Sequence, residues 1–274
     1  MTGRGDPPTV ADVPTVRDLR DDDHRAVAQV AAACDEVGAV SGSDSRYLSH
    51  VAARGRVAVS EVGGEVVAYA GAIDVPGAAF LTDLFVRSGS RGEGHGQALL
   101  AHVWADADER MTSASQDPRA LGVYARYGAV PRWPLVYLEV EGGGASPQLP
   151  VLHRETLVGD VAWHLALDGL ATVRVLAGHE QPVTTAVVRR DDGTWTVLRA
   201  ETPDPRGLAV LLADLRTRAG SEGVVRLAVP GPHPGLPDLL RAGARVVAVD
   251  LWCASAAAAD LVDPVHVLPS AALG

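Results

Sequence analysis

Apolar and polar positions alternate with the periods of strands and helices in turn along the first half of the chain, which predicts an α/β (α+β) fold. Strands with an apolar face are predicted at 15–19, 55–62, 65–73, 78–86, about 111–115 and 130–140. Amphipathic helices are predicted at 22–33, at about 44–53, over the segment that holds Ala98, Leu99, Val103 and Ala107, and at 118–127. This order of elements predicts a mixed central sheet flanked by helices.

The second half repeats part of this order. Strands are predicted at 183–190 and 194–200, and the intervening Asp191-Asp192-Gly193 is typical of a hairpin turn. A helix at 205–219, a strand at 224–229, a short helix at 236–242 and a strand at 245–253 follow. A Gly-Ala pair precedes the last strand of each half, at 128–129 and at 243–244. The repeat predicts two lobes of similar construction.

A segment rich in Gly, Ser and Pro separates the two halves, and its composition is typical of a flexible linker. We therefore predict a first domain at 1–142, a linker at 143–150 and a second domain at 151–274. An unrelated α+β cap is the alternative interpretation of the second domain.

Composition and charge argue against several classes of protein. The 274 residues are 47% apolar but include only two Phe and two Met, so aliphatic side chains must fill the core. A formal net charge of −10 argues against nucleic acid or an anionic membrane as a partner. The two Cys and nine His show no metal-ligand spacing, so we expect no metal site. No apolar run reaches membrane-spanning length and the polar N-terminus is unlike a signal peptide, so we expect a cytoplasmic protein.

The most informative segment is a glycine-rich turn between a strand and a helix. Glycines at 92, 94 and 96 follow a strand that ends in Leu84-Phe85-Val86. A backbone without Cβ atoms can approach a bulky ligand, and the start of a helix presents free N–H groups and the positive end of its dipole. A phosphate is the natural occupant of such a turn. The glycine spacing does not fit the dinucleotide pattern G-x-G-x-x-G, and the chain has no Lys for a Walker loop.

The remaining pattern, R-x-x-G-x-G after an apolar strand, resembles the acetyl-CoA signature V-x-P-x-x-R-G-x-G-x-G-x-x-L-L of the GNAT superfamily of N-acetyltransferases. Ser88 replaces the Pro, and the other signature positions match at Val86, Arg91, Gly92, Gly94, Gly96, Leu99 and Leu100. Residues 117–128 resemble the second signature of that family, N-x-x-A-x-x-x-Y-x-x-x-G, with Asp117 in place of Asn. The resemblance implies a GNAT-like mixed sheet, acetyl-CoA as co-substrate and direct transfer of the acetyl group to an amine.

The resemblance also implies roles for individual residues. The strand backbone would meet the thioester and the pantetheine arm, and the turn would hold the pyrophosphate. The cofactor-binding residues implied are Leu84, Phe85, Val86, Arg91, Gly92, Glu93, Gly94, His95, Gly96, Gln97 and Asp117. Tyr124 matches the Tyr of the second signature and would protonate the departing CoA thiolate. Core packing on its helix is the other interpretation of Tyr124.

The general base stays open at the level of sequence. Thr82 stands where family members that act on small amines often have Glu, so that role does not carry over. Asp83 is the candidate, and the alternation of side chains along a strand predicts that it points to the opposite face from Thr82. Glu61 on a neighbouring strand is the second candidate. The segment 37–48 is expected to help shape the acceptor site.

The second domain is expected to be a degenerate GNAT-like lobe that binds no CoA. Its equivalent of the phosphate turn reads Thr202-Pro-Asp-Pro-Arg-Gly207, and Leu239 stands in the place of the Tyr. The leading hypothesis is an enzyme with one acetyl-CoA site that acetylates a small-molecule amine. A non-catalytic acyl-CoA-binding sensor and a protein N-terminal acetyltransferase stay open as alternatives, as does assembly into a homodimer.

Overall fold

The computed structural model describes residues 14–34, 45–144, 172–177, 182–202 and 205–269. In the first half these form β1 (Thr15–Asp18), α1 (His24–Ala33), α2 (Ser45–Arg54), β2 (Gly55–Val62), β3 (Glu65–Val75), β4 (Ala78–Val86), α3 (His95–Val103), β5 (Arg110–Ala114), α4 (Pro118–Arg126) and β6 (Val130–Glu141). The second half forms β7 (Thr172–Ala177), β8 (Pro182–Asp191), β9 (Thr194–Glu201), α5 (Pro205–Ala219), β10 (Val224–Pro230), α6 (Leu236–Arg241), β11 (Arg245–Ala254) and β12 (Val267–Leu268).

The strands of both halves join in one sheet. Its order is β1-β2-β3-β4-β5-β11-β6-β10-β9-β8-β7, and β12 pairs with β9 beside this path. Two neighbouring pairs, β4 with β5 and β9 with β10, are parallel, and the other pairs are antiparallel. The predicted mixed sheet flanked by helices is thereby confirmed. Of the strands, β7 and β12 have no counterpart among the sequence predictions.

One long strand of each half, β6 in the first and β11 in the second, lies beside strands of the other half. β11 is inserted between β5 and β6 and is antiparallel to both, with Leu251 opposite Ala114 and Val249 opposite Val136. β6 in turn pairs with β10, where Val229 lies opposite Val136. Thus β11 of the second half continues the sheet beside the parallel pair β4–β5, and β6 of the first half continues it beside the parallel pair β9–β10. We refer to this arrangement as the strand exchange.

Helices of the first half cover the two faces of the sheet with separate apolar cores. α1 and α2 place Val27, Val30, Leu48 and Val51 in one core, where they meet strand residues that include Tyr69 and Phe80. α3 and α4 place Leu99, Leu100, Val103 and Tyr124 in the other core, where the strands contribute small residues such as Ala68 and Ala70. We call these the α1–α2 face and the α3–α4 face. The apolar positions on each helix recur every three or four residues, which explains why each helix buries a single side.

Part of the segment predicted to be a linker packs against the second half. The backbone N–H of Gly142 donates to the Gly223 carbonyl at 2.8 Å, and that of Gly143 donates to the Arg216 carbonyl at 2.8 Å. The rest of the predicted linker, 145–150, lies outside the described residues. The domain boundaries at 142 and 151 stay predictions. Within the described parts of the chain, no helix is both long and apolar enough to cross a bilayer.

Candidate functional site

β4 and β5 diverge after their last paired residues, which leaves a gap between the C-terminal parts of the two strands. The two strands are in register only from Ala79 opposite Arg110 to Leu81 opposite Thr112. β3 accompanies β4 much further, to Val86, and the N–H of Arg87 still donates to the carbonyl of Val67 at 3.0 Å. Successive N–H groups of a strand point to opposite edges, so the N–H groups of Val86 and Leu84 point into the gap. The edge predicted to meet the thioester is therefore available to a ligand.

The glycine-rich turn lies directly beyond this edge. Gly92 and Gly94 have φ values of 90° and 95°, a left-handed conformation that other residues rarely adopt. A Cβ built on Gly92 would meet no atom within 4 Å, and one on Gly94 would meet only Pro14 Cγ at 3.9 Å. α3 begins at His95, so the N–H groups of its first turn have no partner within the helix. The turn therefore leaves open space in front of free backbone N–H groups, an arrangement that is typical of anion-binding helix starts.

Buried and polar side chains fasten the turn to the sheet. His95 is 2% exposed, and its Nδ1 lies 2.8 Å from the hydroxyl oxygen of the buried Ser60 on β2. Arg91 Nε donates to the carbonyl of Val86 at 3.1 Å, and Cys34 Sγ contacts the same oxygen at 3.3 Å. These contacts fix the start of α3 and the turn relative to the end of β4. Glu93 is largely exposed and lies 3.4 Å from His95 Nε2.

The segment that resembles the second signature forms α4, and a side chain of the same segment caps the N-terminus of this helix. Asp117 caps α4: its Oδ1 accepts the Arg119 N–H at 2.9 Å, and its Oδ2 accepts the Arg119 guanidinium at 2.8 Å. These contacts with Arg119 lower the pKa of Asp117 to about 2. Its carboxylate is therefore occupied within α4. At the other end of α4, the Tyr127 hydroxyl donates to the carbonyl of Gln97 at 3.1 Å.

Tyr124 lies in the core of the α3–α4 face. It is 6% exposed, and its ring meets that of Trp104 edge-on with the centroids 6.3 Å apart. Leu84 and Val86, whose N–H groups point into the gap, pack against the same core. Tyr124 therefore belongs to the same core as the side chains of the strand that borders the gap.

A β-bulge changes the predicted direction of Asp83. Gly71 of β3 lies opposite Asp83 and Ala72 lies opposite Leu81, so Thr82 is the extra residue in β4. The Thr82 hydroxyl donates to Asp83 Oδ2 at 2.7 Å, and a Cβ on Gly71 would meet both side chains. The prediction that Thr82 and Asp83 point to opposite faces is wrong, because one inserted residue disrupts the alternation locally.

Asp83 is a buried carboxyl group surrounded by hydroxyl donors. It is 5% exposed, and its Oδ2 accepts from the Tyr47 hydroxyl at 2.6 Å and its Oδ1 from the Tyr69 hydroxyl at 3.4 Å. Burial raises the pKa of Asp83, and the hydrogen bonds from the hydroxyls oppose this rise without cancelling it. Tyr47 and Tyr69 both belong to the core of the α1–α2 face, so Asp83 and Tyr124 lie on opposite faces of the sheet.

The second candidate base is engaged elsewhere. Arg17 Nε donates to Glu61 at 3.0 Å, and the same guanidinium donates to Asp23. Glu61 therefore belongs to an ion-pair network at the β1 edge. The segment expected to shape the acceptor site, 37–48, lies outside the described residues up to 44.

A further polar group on the α1–α2 face has no counterpart among the sequence predictions. The Tyr137 hydroxyl of β6 donates to Asp250 Oδ2 of β11 at 2.8 Å, and the Ser113 hydroxyl of β5 lies 3.4 Å from the same oxygen. Asp250 is more than a hundred positions from both other residues in sequence and meets them only through the strand exchange. No local pattern in the sequence could have grouped them.

The equivalent gap in the second half is filled. β9 and β10 are paired only from Thr194 to Thr196, and β8 occupies the whole of the other edge of β9. β12 pairs with β9 at Ala200 and Glu201, so it lies on the edge from which β10 has diverged. The buried Thr202 adds hydrogen bonds to the His266 carbonyl and, at 3.0 Å, to His233 Nε2. Within the described residues, this edge is satisfied by the chain itself.

The comparisons with known proteins agree with this architecture. Residues 17–129 match the model of the Acetyltransferase (GNAT) family. A candidate acetyltransferase from Pyrococcus horikoshii superposes with a TM-score of 0.72 at 13% identity, covering 96% of both chains. A GCN5-related N-acetyltransferase from Sphaerobacter thermophilus gives a TM-score of 0.60 at 17% identity, covering 89% of this chain and 96% of that one. A tandem GNAT protein from the clavulanic acid biosynthesis pathway gives 0.58 at 17% identity, covering 88% and 98%. No curated protein matches this chain.

Proposed function

Residues 17–129 belong to the GNAT acetyltransferase family, and from this premise we propose that the chain is an N-acetyltransferase that moves an acetyl group from acetyl-CoA to the amine of a small molecule. One observation carries the proposal. The β4 edge that is open beyond Leu81 leads directly into the positive-φ glycine turn and the start of α3. A donor-lined strand edge followed by an anion-binding turn suits a long ligand with a pyrophosphate in its middle.

The backbone of this chain would do most of the binding. N–H groups of residues 92–97 would hold the pyrophosphate, and the N–H groups of Leu84 and Val86 would hydrogen-bond the carbonyl groups of the pantetheine arm and the thioester. Such donors polarise an acyl carbonyl as negative charge develops on its oxygen. Acetyl-CoA, when bound, supplies an acyl group activated by a good leaving group. The Asp117 carboxylate is occupied by Arg119, so it contributes less to this site than the turn does.

The two proton transfers, from the amine and to the departing thiolate, would take place on opposite faces of the sheet. An alkyl ammonium with a pKa near ~10 reaches its neutral form at pH 7 at a cost of about 4 kcal/mol. Asp83, on the α1–α2 face, is a carboxyl group whose raised pKa makes it a stronger proton acceptor than an exposed Asp. Tyr124, on the α3–α4 face, would give its phenolic proton to the departing sulfur. The gap between β4 and β5 connects the two faces.

The filled edge of β9 supports a single acetyl-CoA site per chain. β12 occupies the place in the second half that corresponds to the open part of the gap in the first. The equivalent of the phosphate turn, 202–207, points the same way, because Pro and Asp stand where glycines would be needed. We place the activity in the cytoplasm on the sequence alone.

Calorimetric titration with acetyl-CoA tests the proposal. We expect one site per chain, and we expect Gly94→Val to abolish binding, because a branched side chain disfavours a φ of 95° and fills the concave turn. Gly89→Ala is the matched control, since a Cβ there meets no atom within 4 Å and its φ is not positive. A melting curve shows whether each variant is folded. Two sites, or no binding by the folded wild-type chain, would contradict the proposal.

Turnover then separates the enzyme from its alternatives. We expect thioester consumption with small amines and a fall in kcat of about 100-fold in Tyr124→Phe, with the affinity for acetyl-CoA retained. Binding without turnover of any amine would instead favour the sensor. Turnover with peptides but not with small amines would favour protein N-terminal acetylation.

A further inference from the structure

Asp250 is a half-buried carboxylate on the α1–α2 face that no cation neutralises within the described residues. The hydroxyls of Tyr137 and Ser113 donate hydrogen bonds to it, and both fall on Oδ2. Two other carboxylates of the same sheet have cationic partners: Glu61 has Arg17, and Glu139 has Arg226 and Arg245, whereas Asp83 has hydroxyl donors only. Asp250 therefore differs from the two glutamates in having only neutral donors, and from the buried Asp83 in being partly exposed.

Asp250 also lies close to the gap between β4 and β5. Trp252 pairs with Ser113, and Leu251 pairs with Ala114, so Asp250 lies just beyond the end of β5. Asp83 lies at the same end of the sheet, two residues beyond the last paired position of β4. β5 separates β4 from β11, and β4 has already diverged from β5 at Asp83, so more than two strand spacings, above about 10 Å, separate the strands that carry the two carboxyl groups. The core contacts of Tyr137 and Trp252 place the Asp250 group on the same face as Asp83.

A carboxylate that retains partial access to solvent and has a free oxygen among the described residues is suited to bind a cation. Burial raises the pKa of Tyr137, and the negative charge of Asp250 adds to this rise, so the hydroxyl stays a donor to the carboxylate. Ser113 adds a second hydroxyl that can donate to or accept from a ligand. The three side chains form a polar group on the side of the gap where an acceptor amine would approach Asp83.

We propose that Asp250, a second-half residue that β11 places beside strands of the first half, binds a second cationic group of the acceptor amine. This inference rests on the proposed function and names its substrate class. The acceptor is an amine with another positive charge several bonds from the reacting nitrogen. One nitrogen is held near Asp83 for acetylation, and the other is held by Asp250, Tyr137 and Ser113. The second half therefore takes part in substrate recognition through a single strand.

A series of linear diamines, from 1,4-diaminobutane to 1,8-diaminooctane, tests the inference against the monoamines of equal carbon number. We expect the wild-type enzyme to use at least one diamine with a kcat/KM about tenfold above that of its matched monoamine. Asp250→Asn should remove most of this preference, mainly through a higher KM, because it removes a charge without changing the shape of the side chain. Glu139→Gln is the matched control: it removes a carboxylate from the neighbouring strand, and the preference should persist.

The outcomes are distinct. A wild-type enzyme that acetylates diamines and monoamines equally well overturns the inference and leaves the proposed function intact. The inference is likewise overturned if Asp250→Asn keeps the diamine preference, or if Glu139→Gln loses it to the same extent. A chain that binds acetyl-CoA but acetylates no amine overturns the inference and the proposed enzyme together. A thermal melt of each variant separates a change of preference from a loss of fold.

Discussion

At the scale of single residues, Asp83 combines burial with several hydroxyl donors, and the two influences act on its ionisation in opposite directions. Desolvation disfavours the carboxylate, whereas the hydrogen bonds from Tyr47, Thr82 and Tyr69 favour it. Desolvation is the larger effect, so the pKa of Asp83 in the folded chain is above the ordinary value of 3.8. An acid with a raised pKa binds its proton more tightly in the folded than in the unfolded state. Its ionisation therefore opposes folding.

The sign of the resulting pH dependence follows from this difference in pKa. The contribution of Asp83 to stability is fully present below pH 3.8 and is lost as the pH rises through its folded pKa. Asp83→Asn cannot ionise, so the free energy of unfolding of the wild type minus that of the variant should fall across this window, by at most about 1.4 kcal/mol per pH unit. Urea unfolding of both proteins in steps from acid to neutral pH measures the difference.

Asp74→Asn is the control for this measurement, because Asp74 is an exposed carboxyl on the neighbouring strand β3. This variant shows how far the loss of one surface carboxylate alters the pH dependence of the free energy of unfolding. A wild-type minus Asp83→Asn difference that stays constant, or that grows with rising pH, would contradict the burial described for Asp83.

At the scale of elements, periodicity identified most of the strands and helices but not the local irregularity that shapes the site. The predicted bounds 55–62, 78–86 and 205–219 match β2, β4 and α5 residue for residue. Their apolar spacing is regular over the whole element, which explains the agreement. The bulge at Thr82 was not predictable in this way, because the residues around it keep their strand propensity while the register with β3 shifts by one.

The cofactor-binding residues predicted from the two signatures are at least partly exposed except His95, which is buried, whereas Asp250 was not predicted from the sequence and was found only in the structure. Their roles remain predictions.

Gly71 tests the bulge directly. It faces the extra residue, and a Cβ there would lie 2.8 Å from Thr82 Oγ1 and 3.1 Å from Val51 Cγ1. We expect Gly71→Ala to destabilise the fold by about 1–3 kcal/mol, because neither short side chain can move away cheaply. Gly122→Ala in α4 is the contrasting variant: a Cβ there meets nothing within 4 Å, and a helix gains about 0.5–1 kcal/mol from the exchange. Chemical denaturation of the two variants should give shifts of opposite sign, and equal shifts would contradict the packing around Thr82.

At the scale of the whole molecule, the strand exchange makes the two halves depend on one another. Trp252 of β11 is 1% exposed and stacks on Trp133 of β6 and on Phe80 of β4, with centroids 5.1 Å and 5.4 Å apart. A second-half side chain thus completes a first-half core. Conversely, Leu138 of β6, a first-half residue, belongs to the second-half core beneath α5. The sequence repeat predicted two lobes but not this exchange, because a periodic pattern defines which side of a strand is buried and not which strand lies beside it.

The exchange predicts that the chain unfolds as one cooperative unit, and two tryptophans in different cores test this. Trp252 belongs to the core of the α1–α2 face, and Trp195 belongs to the core of the second half. Truncating either ring leaves a cavity that costs about 3–5 kcal/mol. Removing β11 or β6 from the sheet would open an edge in both halves at once, so neither half can melt while the other stays folded. Trp252→Ala and Trp195→Ala should therefore each lower the midpoint of a single calorimetric transition, with equal calorimetric and van't Hoff enthalpies. If instead the wild type shows two transitions, and each variant moves a different one, the halves are independent despite their shared sheet.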